Sequence, residues 1–398
     1  MASQMTTISA CEVCDSADLH TVLDLGSQPM CDDLVPIGNP AQPQKYPLEL
    51  LLCPRCLTVH QKYQVEKSVL FPQTYHYRAA MTEDVIAGMA DLVDLSKRLY
   101  GNLTGAVVLD IGCNDGSLLK LFGDHGAETV GIEPTGAAED AKTRVHNVFN
   151  SYFDSGSVAE YLSRFPKPDI ITFTNVFAHI EDLGAVIDCL LKLSKEDTIL
   201  IIENHYLGSV LKRFQFDTFY HEHPRTYSFR SFEYIANKLD MKIVHVDFPP
   251  RYNGNIRVAL RKRSLVSQVQ VDESTFLNSF PVMKTYIEET KLRMMECLYK
   301  LSQTHGPLPA KAFPGRASVI ISYFGIDETM LGATYERSAS PKVGYYIPGT
   351  RIPILDEVEL FKNPDTPIIV NLAWHIREEI HRYLRMMGCT GEVLDIFS

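Results

Sequence analysis

Apolar positions change their spacing along the chain. In the first 75 residues they form short runs broken by glycine and proline, such as "LHTVLDLGSQPMCDDL" and "YPLELLLCPRC", which predict small strands. From residue 106 the apolar runs "AVVLDI" and "TVGIE" flank the helical pattern "SLLKLFGDHG", and "DIITFTN" and "TILIIE" follow as further strands with a helix between them. Strands that alternate with helices in this way predict an α/β domain with a parallel sheet.

The last third of the chain repeats this alternation. Residues 275–303 carry apolar residues at helical spacing and predict a long linking helix. A second α/β sheet is predicted by the segments that follow, which are "ASVIISYFGI", "MLGATYER", "TPIIVNLAW", "HIREEIHRYLRMMG" and "EVLDIF". The pattern therefore predicts an α/β protein of three domains, with boundaries at 1–75, 76–265 and 266–398.

Composition narrows the choice of partners. A chain of 398 residues with 45% apolar content is long enough for two or three domains, each with its own core. A net charge of -11 argues against nucleic acid as a partner. We found neither a signal-like segment near the N-terminus nor a run of about 18 apolar residues. We therefore expect a cytoplasmic protein without a membrane partner. We also expect a monomer, since nothing in the sequence calls for a larger assembly.

Two pairs of cysteines, in "CEVC" and "CPRC", predict a metal site. Each two-residue gap lets neighbouring thiolates bind one tetrahedral ion, and two such pairs leave no open position for water. A structural Zn²⁺ would also stabilise a region with so small a core. The alternative is four free cysteines, and Cys31 and His60 fit the paired spacing less well. The predicted ligands are Cys11, Cys14, Cys53 and Cys56.

The segment "DIGCNDG" between the first strand and helix of the central domain predicts a cofactor loop. Backbone N–H groups at such a turn lie near a ligand, and an acid at the end of the second strand reaches ribose hydroxyl groups. The loop resembles the first motif of class I S-adenosylmethionine (SAM) methyltransferases, and a purely structural turn is the alternative. The resemblance implies that Asp110 and Gly112 shape the loop and that Glu133 holds the adenosyl ribose. Further cofactor-binding candidates are Asn114, Gly116 and Asn175.

The segment "FYHEHPRTYS" lies between a strand and a helix whose cap is Ser228 or Ser231, on the ligand side of the predicted sheet. Alternation along an extended chain would place Glu222 on the face opposite both histidines, with Tyr220 on the Glu222 side. The metalloprotease spacing of two histidines is absent. A base with supporting partners therefore suits the segment better than a metal site.

Five motifs in order resemble the sugar C-methyltransferases of deoxysugar pathways over essentially the full chain. They are the cysteine pairs, "VLDIGCNDGSLL", "TNVFAHIEDL", "FDTFYHEH" and "SPKVGYYIPGTRIPI". The resemblance implies a zinc-binding N-terminal domain, a central methyltransferase domain and a C-terminal α/β domain that helps to bind a nucleotide-linked keto-sugar. The implied active-site residues are His179, Tyr220, Glu222 and His223, with a tyrosine of "QTYHYRAA", Tyr75 or Tyr77, reaching in from the zinc domain.

Substrate-binding candidates follow from the same resemblance. "YNGNIRV" contributes Asn255 and Arg257, the latter as a diphosphate clamp, and Lys342 of "SPKVGYYIPGT" would meet a phosphate, with a solvated surface lysine as the alternative. We count Tyr77 with this group and Tyr75 with the catalytic one. The chain departs from the family in "AFPGRASVII", where Arg316 stands in place of a lysine, and this leaves the nucleotide open.

Methylation at carbon explains why such residues would be needed. Removing the proton next to a ketone gives an enolate, which requires a base of near-neutral pKa and donors aimed at the oxygen. We assign His223 as the base, Glu222 as its support, and His179 and Tyr220 as groups that polarise the ketone, although these roles are interchangeable. The alternatives are O- or N-methylation of another small metabolite, and a zinc-ribbon interaction protein with a degenerate methyltransferase core.

Overall fold

The computed structural model describes residues 5–70, 78–79, 83–262 and 269–397. The chain divides into two compact units, and neither is one continuous stretch. The first unit comprises Met1–Thr21, Leu50–Arg213 and Glu222–Leu277, and the second comprises Val22–Glu49, Phe214–His221 and Asn278–Ser398. No helix within the described ranges is long and apolar enough to cross a membrane. The three domain boundaries drawn from the sequence stay a prediction.

The amino-terminal part consists of short strands, as the broken apolar runs predict. Its elements are β1 (Met5–Thr7), β2 (His20–Pro29), β3 (Val35–Pro36), β4 (Lys45–Leu52), β5 (Val59–Gln61), β6 (Tyr63–Val65) and the helix α1 (Lys67–Leu70). In the first unit, β1 pairs with β6, and β5 pairs with the end of β4, both antiparallel.

Strands and helices alternate through the middle of the chain. They are α2 (Glu83–Tyr100), β7 (Val107–Ile111), α3 (Ser117–Gly123), β8 (Glu128–Ile132), α4 (Ala137–Lys142), β9 (Asn147–Phe149), α5 (Ser155–Arg164), β10 (Ile170–Thr174), α6 (Leu183–Leu193), β11 (Ile199–His205), α7 (Leu207–Lys212), β12 (Arg225–Thr226), α8 (Phe229–Lys238), β13 (Lys242–Asp247) and β14 (Asn255–Arg261). Helix α8 begins with a capping box, in which Ser228 and Ser231 satisfy each other's backbone N–H groups.

The first unit contains a seven-stranded sheet in the order β13-β14-β11-β10-β7-β8-β9. The five strands from β11 to β9 are parallel, and β14 is antiparallel to both β11 and β13. The chain builds outward from β7 to β8 and β9, and then from β10 to β11 on the other side. The order therefore reverses between β7 and β10, and ligands of open α/β sheets bind beyond the carboxyl ends of strands at such a point.

The second unit has its own parallel sheet, in the order β18-β16-β15-β19-β20. Its elements are α9 (Phe276–His305), β15 (Leu308–Lys311), α10 (Ala317–Phe324), β16 (Leu331–Glu336), β17 (Tyr345–Tyr346), β18 (Ile354–Asp356), α11 (Glu357–Phe361), β19 (Ile368–Asn371), α12 (Arg377–Met386) and β20 (Glu392–Asp395). The segment "ASVIISYF" forms helix α10, and β17 pairs with β3. The predicted long helix and second α/β sheet are confirmed.

Candidate functional site

Four cysteines of the first unit lie together and are buried, as their paired spacing predicts. Their sulfur atoms all lie within 4.8 Å of one another. The Sγ atoms of Cys11 and Cys56 are 3.4 Å apart, and those of Cys14 and Cys53 are 3.5 Å apart. Zn–S bonds of about 2.3 Å in a tetrahedron place sulfur atoms about 3.8 Å apart, so the cluster fits Zn²⁺. Four thiolates leave no position for a substrate, and the site is structural.

The side chains nearest to this cluster support it without joining it. His60 is fully buried, and one ring nitrogen lies 3.3 Å from Cys11 Sγ while the other lies 3.3 Å from Glu12 Oε2. Burial alone would raise the pKa of Glu12, but the charge of Arg225 and the hydrogen bond from His60 lower it to about 2. Cys31 belongs to the second unit. Because its imidazole ring contacts Cys11, His60 orients that cysteine and is not itself one of the four predicted zinc ligands.

The cofactor loop depends on backbone conformations that favour glycine and asparagine. Gly112, Asn114 and Gly116 have φ angles of 67°, 50° and 77°. A Cβ atom on Gly112 would lie 2.5 Å from Val176 Cγ2, so the loop also has no space for a side chain there. These constraints hold the turn after β7 open at the carboxyl edge of the sheet, where it can receive an adenosyl group.

The two acids of the loop are differently placed. Asp110 is buried and accepts a hydrogen bond of 2.6 Å from the hydroxyl of Thr172. Burial, with a smaller contribution from the charge of Glu133, raises the pKa of Asp110 to about 7 against that hydrogen bond. Glu133 directly follows β8 and accepts the backbone N–H of Asn114 at 3.0 Å through Oε2. A carboxylate oxygen has a second lone pair, so Glu133 can also accept a ribose hydroxyl.

Asn175 follows β10 on the opposite side of the point where the strand order reverses. It has a φ of 55°, and its Oδ1 accepts a hydrogen bond of 3.1 Å from the side chain of Asn255. The same Asn255 amide donates to Glu203 Oε1 at 2.8 Å. Glu203 is fully buried between Arg251 and Arg257. The turn that carries Asn175 is thus fixed by a buried ionic cluster.

Arg257 lies in this cluster with 2% of its side chain exposed. Its Nε donates to Glu203 Oε2 at 2.7 Å, its Nη2 donates to the carbonyl of Gly88 at 3.1 Å, and its Nη1 lies 3.5 Å from Asp247 Oδ2. A diphosphate clamp requires an accessible guanidinium group. The assignment of Arg257 to that role stays a prediction, and this burial weighs against it. Asn255 is likewise fully buried.

Three histidines meet at the carboxyl edge of the same sheet. The ring centroid of His223 is 4.6 Å from that of His179 and 5.3 Å from that of His205. His179 Nδ1 donates to the backbone carbonyl of Glu222 at 2.6 Å. The alternation expected for an extended chain is wrong here, because His221 and Glu222 form a turn. His205 was not predicted, although it ends β11 as Asn175 follows β10.

Burial sets the protonation of His179. It lowers the pKa of the ring to about 4, although hydrogen bonds to the backbone carbonyls of Glu222 and Asn175 oppose the change. His179 is therefore neutral at physiological pH and presents an oriented imidazole without a charge.

The remaining predicted residues are in the second unit or outside the described residues. Tyr220 belongs to the second unit and is partly exposed. Lys342 Nζ lies 3.5 Å from Asp32 Oδ1 and 5.1 Å from the ring centre of Phe313, with 20% of its side chain exposed. Tyr75 and Tyr77 lie outside the described residues.

Arg316, which departs from the family pattern, binds a carboxylate within the second unit. Its Nε and Nη2 donate to the two carboxylate oxygens of Asp217, at 2.8 Å and 2.6 Å. Trp374 lies under the guanidinium group and donates its ring N–H to the same carboxylate at 2.9 Å. Arg316 therefore anchors the segment that leads into "FYHEH" and does not replace the lysine of the family as a free cation.

Comparisons with known proteins agree with this arrangement. Three family models match successive parts of the chain: "Putative zinc binding domain" over residues 11–71, "Methyltransferase domain" over 81–246 and "C-methyltransferase C-terminal domain" over 261–393. The C-methyltransferase NovU of Streptomyces niveus is 26% identical over 387 residues, which cover 94% of this chain and 91% of NovU.

Other similarities cover less of the chain. The mitochondrial ubiquinone biosynthesis O-methyltransferase of Bos taurus is 34% identical over 110 residues, or 25% of this chain and 29% of that protein. Magnesium protoporphyrin IX methyltransferase from Synechocystis, solved with SAM bound, is 17% identical, covers 45% of this chain and 81% of its own, and gives a TM-score of 0.35. Because this structural similarity is weak, we assign the fold class from the sheet topology described above.

The sheet, the loop and the cysteine cluster define a SAM-dependent methyltransferase with a structural zinc site. The order of the family models and the similarity to NovU over the full length further specify transfer to carbon. These matches confirm the resemblance to C-methyltransferases that the motifs indicate. The predicted fold class, enzyme class and cofactors, SAM and zinc, are confirmed.

Proposed function

We propose that this C-methyltransferase removes the proton next to the ketone of a nucleotide-linked keto-deoxysugar and methylates the resulting carbon, C3 of a 4-keto-hexose. The observation that carries the proposal is the position of His223, whose ring lies 4.6 Å from His179 and 5.3 Å from His205. A buried imidazole group at the carboxyl edge of the sheet, beyond the cofactor loop, suits a base that acts on a bound metabolite.

The chemistry requires such a base. A carbon that bears only C–H bonds is not a nucleophile, and loss of a proton next to a ketone turns it into an enolate carbon. In our proposal His223 takes this proton, Glu222 supports it, and Tyr220 and Tyr75 stabilise the charge that develops on the ketone oxygen. The neutral His179 uses its one N–H on the carbonyl of Glu222 and orients the segment that carries the base. Bound SAM supplies an electrophilic methyl group. O- or N-methylation would need no enolate and leaves the histidine cluster without a task.

Cofactor binding is assigned to the loop after β7 and to the turn after β10. Glu133 has the free lone pair for a ribose hydroxyl group, and the left-handed residues of the loop keep its backbone close to the ligand. The turn at Asn175 closes the site from the other strand. The proposed SAM-binding residues are Asp110, Gly112, Asn114, Gly116, Glu133 and Asn175.

Nucleotide-sugar binding is the least constrained part of the proposal. Lys342 is the candidate for a phosphate contact, with 20% of its side chain exposed and its ammonium group 3.5 Å from Asp32, and it would meet a phosphate as a point charge. Tyr77, Asn255 and Arg257 complete the predicted substrate group, and the burial of the last two favours a supporting position behind the ligand. The nucleotide itself is left to experiment.

One experiment tests the reaction and a second tests the base. Protein incubated with labelled SAM and a panel of nucleotide-linked 4-keto-sugars should label one of them at carbon, which NMR of the product locates; a label on oxygen or nitrogen refutes the proposal. In deuterated water with SAM omitted, His223→Asn should lose exchange of the substrate α-proton by about 10²-fold or more. The exposed His125→Asn serves as control, and undiminished exchange in His223→Asn excludes His223 as the base.

A further inference from the structure

A buried arginine connects the zinc cluster to the histidine cluster within the first unit. The side chain of Arg225 has no exposed surface, and its Nη1 lies 2.7 Å from Glu12 Oε2. Glu12 directly follows the zinc ligand Cys11. The other contacts of the guanidinium group are the hydroxyl of Tyr227 at 3.1 Å and the carbonyl of Glu181 at 3.3 Å and 3.4 Å. One cation therefore touches three segments of the chain.

The carboxylate of Glu12 is fixed independently of Arg225. It accepts a hydrogen bond of 2.8 Å from Gln64 Nε2 and lies 3.3 Å from a ring nitrogen of His60, whose other nitrogen reaches Cys11 Sγ. Because the cysteine and the strand carrying His60 are tied together by the metal, the position of the carboxylate is tied to the metal as well.

The backbone beside the proposed base is held by the same strand. Residue Arg225 of β12 pairs with His60 of β5, directly after the second cysteine pair. Gln61 donates its backbone N–H to the carbonyl of Pro224 at 2.9 Å and its side-chain amide to the carbonyl of His223 at 2.8 Å. The segment that carries His223 is thus an added strand of the zinc-binding part.

The segment that carries His179 reaches the same cation. Glu181, whose carbonyl accepts from Arg225, lies two residues after His179, and His179 itself donates to the carbonyl of Glu222. A shift of Arg225 would therefore disturb both histidine-bearing segments. Catalysis by a positioned base is sensitive to displacements of this kind.

We propose that Arg225 and Glu12 are positioning residues, through which the zinc-bound segment sets the separation of His223 and His179. With zinc bound by the four cysteines, the segment of Glu12 would be held in place, and Arg225 would keep the two histidines at their separation. The inference rests on the proposed function of His223 and deepens it. Neither residue touches the substrate, so their loss should lower the rate of the proton step and leave the affinity for SAM unchanged.

Two conservative variants and a matched control test the inference. Glu12→Gln keeps the shape of the side chain and removes its charge, while Arg225→Lys keeps the charge and loses the fork that spans Glu12 and Glu181. The control is Asp15→Asn, which removes a carboxylate in the same cysteine segment that pairs with Lys238 at 2.9 Å and is 76% exposed. Asp15 has a φ of 61°, which asparagine tolerates.

The measurements are zinc per chain by mass spectrometry, SAM affinity by calorimetry, and α-proton exchange at varied keto-sugar concentration without SAM. We expect both variants to retain zinc and SAM affinity and to exchange about tenfold more slowly at saturation with little change in KM. The control should match the wild type. Arg225→Met, which loses both the charge and the fork, should exchange more slowly than Arg225→Lys.

Three outcomes overturn the inference. Wild-type rates in both variants, with zinc bound, show that the pair does not position the base. Loss of zinc from either variant shows that the pair serves to retain the metal. Absence of exchange in the wild type overturns the proposed function and the inference with it, which distinguishes that failure from the first outcome.

Discussion

Replacing Glu203 with glutamine would leave two buried arginines around a neutral amide. In the wild type the carboxylate accepts from Arg257 Nε at 2.7 Å, Arg251 Nε at 3.1 Å and Asn255 Nδ2 at 2.8 Å. At most 4% of the side chain of either arginine is exposed. The glutamine would also direct its own N–H group at donors. Among the residues that the structure describes, Asp247, 3.5 Å from Arg257, is the counter-charge that would remain.

The expected loss of stability is large for a change of one atom. Removing one partner of a buried ion pair costs about 3–5 kcal/mol, and here two guanidinium groups lose the same partner. For a unit of roughly 150–250 residues each kcal/mol moves the unfolding midpoint by about 2–4 °C, so the midpoint of the first unit should fall by about 6–20 °C.

Scanning calorimetry at neutral pH measures this shift. The control is Glu160→Gln, which breaks the pair with Arg164 on the surface of α5, where 57% of the Glu160 side chain is exposed. Such exposed pairs contribute about 0–1 kcal/mol, so the control should move the midpoint by a few degrees at most. A Glu203→Gln midpoint no lower than that of the control would refute the reasoning.

Two further predictions concern the loop and the effect of acid. Gly112→Ala should weaken SAM binding by more than about tenfold, because a left-handed φ costs about 1–2 kcal/mol and the added Cβ would lie 2.5 Å from Val176 Cγ2. Adding Val176→Ala should recover only the part of the SAM affinity that the steric clash removes, as measured by titration calorimetry. Wild-type SAM affinity in the Gly112→Ala variant would contradict this prediction. His221 is buried, which lowers its pKa to about 4 although the ring donates hydrogen bonds to backbone carbonyls. The unfolded chain therefore binds the proton first, so stability is complete above about pH 6.5 and falls by up to about 3 kcal/mol toward pH 4. His221→Gln should make this slope shallower in thermal melts, with the contribution of His179 remaining, while exposed His20→Gln keeps it. Equal slopes in the two variants would count against the argument.

Features that depend on neighbouring residues could be predicted from the sequence. The ligand pairs beginning at Cys11 and Cys53 need only a two-residue gap, and the turn at Gly112 needs only a strand, a small residue and a helix. Ser228 could be identified as a helix cap for the same reason. His205 could have been found by extending to β11 the rule that identified Asn175.

Partners that come from distant segments could not be predicted. Nothing in the spacing of the sequence pairs Glu203 with Arg257. An arginine can serve as an exposed diphosphate clamp or as a buried counter-ion, and the sequence does not distinguish these two roles. The pairing of Arg225 with Glu12 joins positions more than two hundred residues apart in the chain. The alternation expected in "FYHEH" failed because a turn at His221 interrupts the extended backbone.

The interleaving of the two units has a consequence for how the chain is made. Residues 22–49 leave the ribosome early, but the strand that pairs with β3 and the helix α10 come from the last third of the chain. The second unit can be completed only when synthesis is nearly finished, whereas most of the first unit is already available. A polypeptide that stops near residue 277 would contain segments 22–49 and 214–221 of the second unit without the rest of that unit. A chimaera that joins two proteins at a single point near residue 277 would likewise separate these two segments from the core in which they pack.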